Sequence, residues 1–121
     1  MERIDRKVLA NDYTDVALLG KFVTRSRAWP IAGVAVHAAN GAAFGFVFDV
    51  ARRRTSIPAR RLALRLALTE HLLLFPLGAV VDRYHPARGE PGVKRVFGGR
   101  AFAQATLRHA LFGLVLGRLA E

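Results

Sequence analysis

Long apolar stretches alternate with clusters of basic residues along the whole chain. The longest uncharged stretch is residues 28–48, AWPIAGVAVHAANGAAFGFVF, and the basic run ARRR follows shortly after it. A bilayer core of about 30 Å needs about 20 helical residues. A soluble helix of this length normally has a polar face, which this stretch lacks. The pattern therefore predicts a membrane span over about residues 28–51, with Trp29 at the headgroup level.

Two further apolar stretches predict two further spans, over about residues 62–82 and 101–120. Pro76 should kink the first of them, because proline lacks the amide hydrogen that a helix interior uses. The connection between them contains several glycines and basic residues. Such a composition is typical of a loop, and we expect it to be flexible and to face the lipid.

The predicted fold class is therefore all-α, a helical membrane protein with about three transmembrane helices and an N-terminal amphipathic segment. Residues 28–121 form the helical membrane domain, and residues 1–27 form a basic amphipathic region before it. Within that region the apolar patch DVALLGKFV, residues 15–23, is too short to cross a bilayer. We expect it to lie at a surface. The distribution of Lys and Arg favours a cytoplasmic N-terminus.

The formal net charge of +10 indicates a negatively charged partner. Nucleic acid and anionic lipid headgroups both attract such a charge. The arginines flank the apolar stretches and do not alternate with aromatic residues on one face. We therefore expect a lipid bilayer with anionic headgroups as the partner, and no nucleic acid. The chain contains no cysteine, which excludes disulfides, thiolate metal sites and thiol nucleophiles.

The pattern His-Ala-x-x-Gly-x-x-x-Gly occurs twice, as HAANGAAFG and as HALFGLVLG. Helix positions four apart lie nearly in line, so each copy forms a glycine stripe. Glycine stripes let helices approach closely, and close packing is a main source of helix association in lipid. The first and third of three spans run parallel, so the stripes should face each other or face copies in a homo-oligomer or larger membrane complex. The predicted packing residues are Gly41, Gly45, Gly113 and Gly117.

Each predicted span also carries polar residues near its middle, and together they form a candidate intramembrane polar layer. A charge at the bilayer centre costs about 2.5–3.5 kcal/mol on insertion scales, so we expect Glu70 to pair with Arg108. The layer is compatible with polar contacts between helices, with a proton or ion pathway, or with metal or haem ligation. Its members are His37, Asn40, Glu70, His71, Arg108 and His109.

The chain contains no zinc-type spacing, no Ser-His-Asp set and no phosphate-binding loop. We therefore assign no catalytic, metal or cofactor residues and do not expect an enzyme. The favoured function is a small polytopic membrane protein, an accessory or structural subunit packed through its glycine stripes. One alternative is a proton- or ion-pathway component that uses the polar layer. Another is a soluble basic helical binding protein.

The C-terminal half contains the motif His-x-x-x-Phe-Pro-Leu at His71, Phe75, Pro76 and Leu77, and His109 lies in the following apolar stretch. In these residues the chain resembles the YagU-like small inner-membrane proteins of bacteria. The resemblance implies a multi-pass helical protein of the bacterial inner membrane. It implies no particular biochemical activity, because the family has none that is agreed.

Overall fold

The computed structural model describes residues 14–121, which form five α-helices. The helices are α1 (Asp15–Val23), α2 (Trp29–Arg54), α3 (Ala59–Leu74), α4 (Leu77–Tyr84) and α5 (Gly99–Leu119). No β-strand occurs within residues 14–121, so the all-helical prediction is confirmed. The first 13 residues of the predicted basic region lie outside the described residues.

Helices α1 and α2 form a tight antiparallel hairpin because each presents a glycine to the other. A Cβ atom on Gly20 would lie 2.0 Å from the carbonyl oxygen of Trp29, and one on Gly33 would lie 2.0 Å from that of Val16. No side chain fits at either position without moving the backbones apart. The segment that we expected at a surface is therefore packed against the predicted first span.

Helix α3 packs against both α2 and α5. Its contact with α5 is antiparallel, because Gly113 lies against Leu64 and Gly117 lies against Arg60, one turn earlier. A four-residue connection joins α2 to α3, and the parallel course expected for α2 and α5 stays a prediction. The buried core of this half of the molecule consists of Phe44, Phe48, Leu62, Ala63 and Ala67.

The predicted second span is broken at Pro76. Helix α3 ends at Leu74 and α4 begins at Leu77, and the two are bent by 50° relative to each other. The predicted kink is thus confirmed, and its cause is the missing amide hydrogen of proline.

The connection between α4 and α5 folds back onto α1, which differs from the flexible, lipid-facing loop that we expected. Nε2 of His85 donates a hydrogen bond to the carbonyl oxygen of Leu18 at 2.7 Å. The amide of Thr14 donates to the carbonyl oxygen of Gly92 at 2.9 Å. Gly92 adopts φ +79°, and a Cβ there would lie 2.8 Å from Cβ of Ala17. Glycine is therefore needed where the loop meets the helix.

Charge also holds this loop to α1. Nζ of Lys21 lies 3.1 Å from Oε2 of Glu90 and donates a second hydrogen bond to the carbonyl oxygen of Pro91 at 3.2 Å. Arg25 pairs with the other carboxylate oxygen of Glu90. The glycines and charges that predicted a flexible loop therefore form its contacts with α1.

By length and apolarity one described helix, α2, qualifies as a membrane span, or two helices if the bent pair α3–α4 counts as one span. Helix α5 carries Arg100, Arg108 and Arg118 and does not belong to that set. Length and composition therefore do not establish three spans. Only 17% of the most apolar window of α2 is buried, whereas the core helix of a soluble protein is mostly buried.

Candidate functional site

Polar side chains from four helices line one cavity of about 210 Å³, which we call the central cleft. Five of the six residues of the predicted polar layer contribute to it, and His71 does not. The lining residues are Asp15 of α1, His37, Asn40, Gly41 and Phe44 of α2, Glu70 of α3, and Arg108, His109 and Phe112 of α5. The cleft thus brings together groups that are up to 97 residues apart, from Asp15 to Phe112.

Arg108 pairs with Asp15 and not with Glu70. Its Nη1 lies 3.4 Å from Oδ2 of Asp15, and the two side chains are 7% and 32% exposed. The predicted Glu70–Arg108 ion pair is therefore wrong. The sequence predicts a partner within the spans, whereas the hairpin brings the first residue of α1 to the middle of α5. A carboxylate there also lies at the positive end of the α1 dipole.

Glu70 faces His109 across the cleft, with 4.0 Å between Oε2 and Nε2. Nδ1 of His109 lies 2.8 Å from the carbonyl oxygen of Ala105. A carbonyl oxygen only accepts hydrogen bonds, so Nδ1 carries the proton of the neutral ring and Nε2 presents a lone pair. A carboxylate and a lone pair therefore face each other, at a distance that leaves both without a direct hydrogen bond.

His71 does not line the cleft, and its Nε2 forms a hydrogen bond to α5. Its Nε2 lies 2.8 Å from Oγ1 of Thr106, and that hydroxyl donates to the carbonyl oxygen of Phe102 at 2.8 Å. The hydroxyl therefore accepts the proton of His71. The imidazole packs 4.9 Å from the rings of both Phe102 and His109. These contacts favour a structural role, a polar contact between α3 and α5.

His37 and Asn40 lie on the exposed side of α2 at the rim of the cleft. Neither side chain has a hydrogen-bond partner among residues 14–121. Below them, Phe44 and Phe112 form an apolar wall, with ring centroids 5.1 Å apart in an edge-to-face arrangement. The cleft therefore has a polar rim, a charged side and an aromatic side.

The two glycine stripes have opposite surroundings. Cβ atoms on Gly113 and Gly117 would lie 2.9 Å and 2.5 Å from backbone Cα atoms of α3, whereas Cβ atoms on Gly41 and Gly45 would meet nothing within 4 Å. The stripes do not face each other, because α5 uses its glycines to approach α3. Of the two predicted arrangements, contact between copies is the one that stays a prediction.

Sequence reasoning missed Asp15 and Gln104. Asp15 follows Thr14, whose Oγ1 accepts a hydrogen bond from the amide of Ala17 at 3.1 Å, so the start of a helix was visible in the sequence but its neighbour was not. Gln104 is fully buried, and neither polar atom of its side chain has a hydrogen-bond partner. Buried amides without a partner are rare in native proteins, and no sequence pattern indicates this one.

Within residues 14–121 no group of three or more metal-binding side chains is arranged to hold an ion. Comparison with protein-family models, with curated proteins and with solved structures gives no match to this chain. The resemblance to YagU-like proteins therefore stays a prediction. The central cleft and the apolar surface around it are the features that indicate a function.

Proposed function

We propose that this chain is a small multi-pass membrane protein without catalytic activity, and that its central cleft is part of a proton or ion pathway. The bacterial inner membrane is the location that the resemblance implies. Three spans are proposed: α2, the bent pair α3–α4, and α5. Support comes from large apolar side chains on α2 and α3 that stay exposed, among them Ile31, Phe46 and Leu73. Each would be costly to leave in water and is favourable in lipid.

The arginines of α5 are compatible with a third span. Arg108 points to Asp15 inside the bundle, and buried pairing is how spans accommodate charge. Arg100 and Arg118 lie one residue from the two ends of the helix, where long side chains reach the headgroups. The exposed Arg52, Arg53 and Arg54 at the end of α2 are placed to contact anionic headgroups in the same way.

The facing pair Glu70 and His109 carries the pathway proposal. The two groups meet in the middle of an apolar helix bundle, near a second histidine, His37. Ionisable groups are expensive in a membrane and are usually functional there. Histidine is the side chain that takes up and releases protons near neutral pH. A cleft that contains both groups can bind a proton and release it again.

A membrane test and a flux test check separate parts of the proposal. Alkaline carbonate washing should leave the protein in the membrane fraction, and only detergent should release it. Release by carbonate would contradict membrane insertion and favour the soluble binding protein.

In vesicles that contain the purified protein and a pH-sensitive dye, an imposed potential should drive proton or ion flux. Glu70→Gln should remove the flux, and Asp49→Asn, which changes a carboxylate outside the cleft, should not. Equal flux in both variants would contradict a role for the cleft.

One observation favours a second candidate, an accessory subunit assembled through α2. Gly41 and Gly45 are open, and the polar His37 and Asn40 lie exposed on the same helix. In lipid such a face is favourable when another helix covers it. Disulfide crosslinking through single cysteines on this face should then join copies of the chain, and Gly41→Leu should prevent it. Crosslinking that is unchanged in this variant would contradict assembly through this face.

A further inference from the structure

Among residues 14–121, no arginine or lysine side chain pairs with Glu70 of the central cleft. Arg108 is bound by Asp15. Oε2 of Glu70 instead faces Nε2 of His109, whose neutral form presents a lone pair and not a proton. Two hydrogen-bond acceptors, one of them negatively charged, therefore face each other 4.0 Å apart. Such a pair is stabilised by a positively charged molecule that donates a hydrogen bond to each acceptor.

We propose that the central cleft binds a small protonated amine, which donates one N–H to Glu70 and another to Nε2 of His109. A nitrogen atom about 2.8 Å from both acceptors fits the observed gap, because tetrahedral N–H bonds diverge enough to reach both. The cavity of about 210 Å³ far exceeds the space of one water molecule. This proposal rests on the proposed function, since it names what the same cleft carries.

The aromatic lining of the cleft suits the rest of such a molecule. Phe44 and Phe112 line it with aromatic surface, and the faces of aromatic rings attract cations. The same wall accommodates a short alkyl group. At the rim, Asn40 offers an amide oxygen that accepts a further hydrogen bond. A metal cation lacks N–H donors and does not use these features together.

A proton competes directly with the amine. When His109 takes up a proton, Nε2 becomes a donor that points at Glu70, and the two groups form an ion pair without the amine. One proton therefore replaces one amine cation, with no change in total charge. The other charged or titratable groups around this pair are Asp15 of α1, His37 of α2, His71 of α3 and Arg108 of α5.

The test is direct binding of radiolabelled methylammonium to the full chain purified in detergent. We expect saturable binding at about pH 8 and weaker binding in acid, because a protonated His109 no longer offers Nε2 as an acceptor. Glu70→Gln should weaken binding at least tenfold. His109→Phe keeps a ring against His71 but lacks Nε2, and it should weaken binding and remove its pH dependence. Asp49→Asn is the matched control and should bind as the unchanged protein does.

Tetramethylammonium carries the same charge but has no N–H donor, so it should compete poorly. Equal competition by tetramethylammonium, or absence of methylammonium binding to protein with an unchanged helical circular dichroism spectrum, would overturn the proposal. The variants must pass the same spectroscopic check. Binding in detergent does not depend on flux: intact binding without flux would overturn only the pathway, and flux without binding would overturn only the amine site.

Discussion

The two copies of the glycine pattern have opposite surroundings in this molecule: one is packed against a helix and the other is open. In α5, Gly113 and Gly117 lie so close to α3 that a Cβ on either would approach a backbone Cα atom within 3 Å. In α2, Gly41 and Gly45 border open space, beside a cleft lined with polar groups. The α5 copy closes an interface, and the α2 copy leaves its helix surface open.

The difference shows that a glycine stripe predicts a helix surface fit for close approach but not the helix that approaches. Helix α3, the antiparallel neighbour of α5, presents the small residues Ala63 and Ala67 opposite Gly113. The neighbour of α2 in its first half is α1, which meets it at Gly33 and not at the stripe. Connection lengths and neighbouring side chains thus decide the contact.

The same substitution at both glycine stripes tests this difference most directly. Gly117→Leu should destabilise the fold by about 3 kcal/mol, the upper end for overpacking, because the new side chain meets the backbone of Arg60. Gly41→Leu should change stability by less than about 0.5 kcal/mol, as surface substitutions do. Denaturant unfolding in detergent, followed by circular dichroism, measures both.

Gly41→Leu is thus the matched control for Gly117→Leu, since both replace a helical glycine by the same side chain. Equal destabilisation by the two substitutions would mean that the first stripe is covered in the folded chain. An unchanged free energy of unfolding in both variants would mean that α3 and α5 can separate without loss of the fold. The close contact between them would then not stabilise the protein.

A smaller effect is expected at the ion pair between α1 and α5, where charge and not close packing joins the helices. Asp15→Asn should destabilise the fold by about 2 kcal/mol, below the 3–5 kcal/mol typical of broken buried pairs, because Asp15 is about one third exposed. The change leaves the buried guanidinium of Arg108 without this carboxylate. Unfolding of the single and double variants with Arg108→Gln measures the coupling. Additive losses would contradict an ion pair that holds α1 to α5.

The parts of this fold that the sequence predicted are those that local patterns determine. The uncharged stretch 28–48 predicted α2, Pro76 predicted the break after α3, and the spacing of His37, Glu70 and His109 predicted a shared polar layer. Each depends on residues within one helix or on helix length alone. Helix α2 is also long and apolar enough to span a membrane as expected, whereas α5 is not.

The parts that could not be predicted depend on which helices meet. The α1–α2 hairpin rests on Gly20 and Gly33, two glycines on different helices that form no repeat in the sequence. No local pattern indicates the hairpin, and only the hairpin brings Asp15 to Arg108. The composition of the loop predicts flexibility, although its glycine and charges fit the surface of α1.

The smallest expected effect concerns the loop contact of α1, the helix that supplies one wall of the cleft. The hydrogen bond from Lys21 lowers the pKa of Glu90 below its usual value; burial opposes this shift, and the nearby Arg25 lowers the pKa further. A carboxyl group whose pKa is lower in the folded state stabilises that state above its unfolded pKa. This contribution is lost as the pH falls through the folded value. Acid should therefore loosen the loop from α1 and leave the closed α3–α5 packing intact.

Hydrogen exchange can compare the two regions within one sample. As the pH falls below about 4, where carboxylates take up protons, the protection factor of the Thr14 amide, which donates to Gly92, should decrease. Amides in the part of α5 that contacts α3 should keep their protection factors. Glu90→Gln should give the low protection at every pH. Glu121→Gln, which removes the partner of Arg60 at the other end of the bundle, should keep the pH dependence at Thr14. Equal loss of protection in both regions would mean that acid unfolds the bundle as a whole, and that α1 is held no differently from α5.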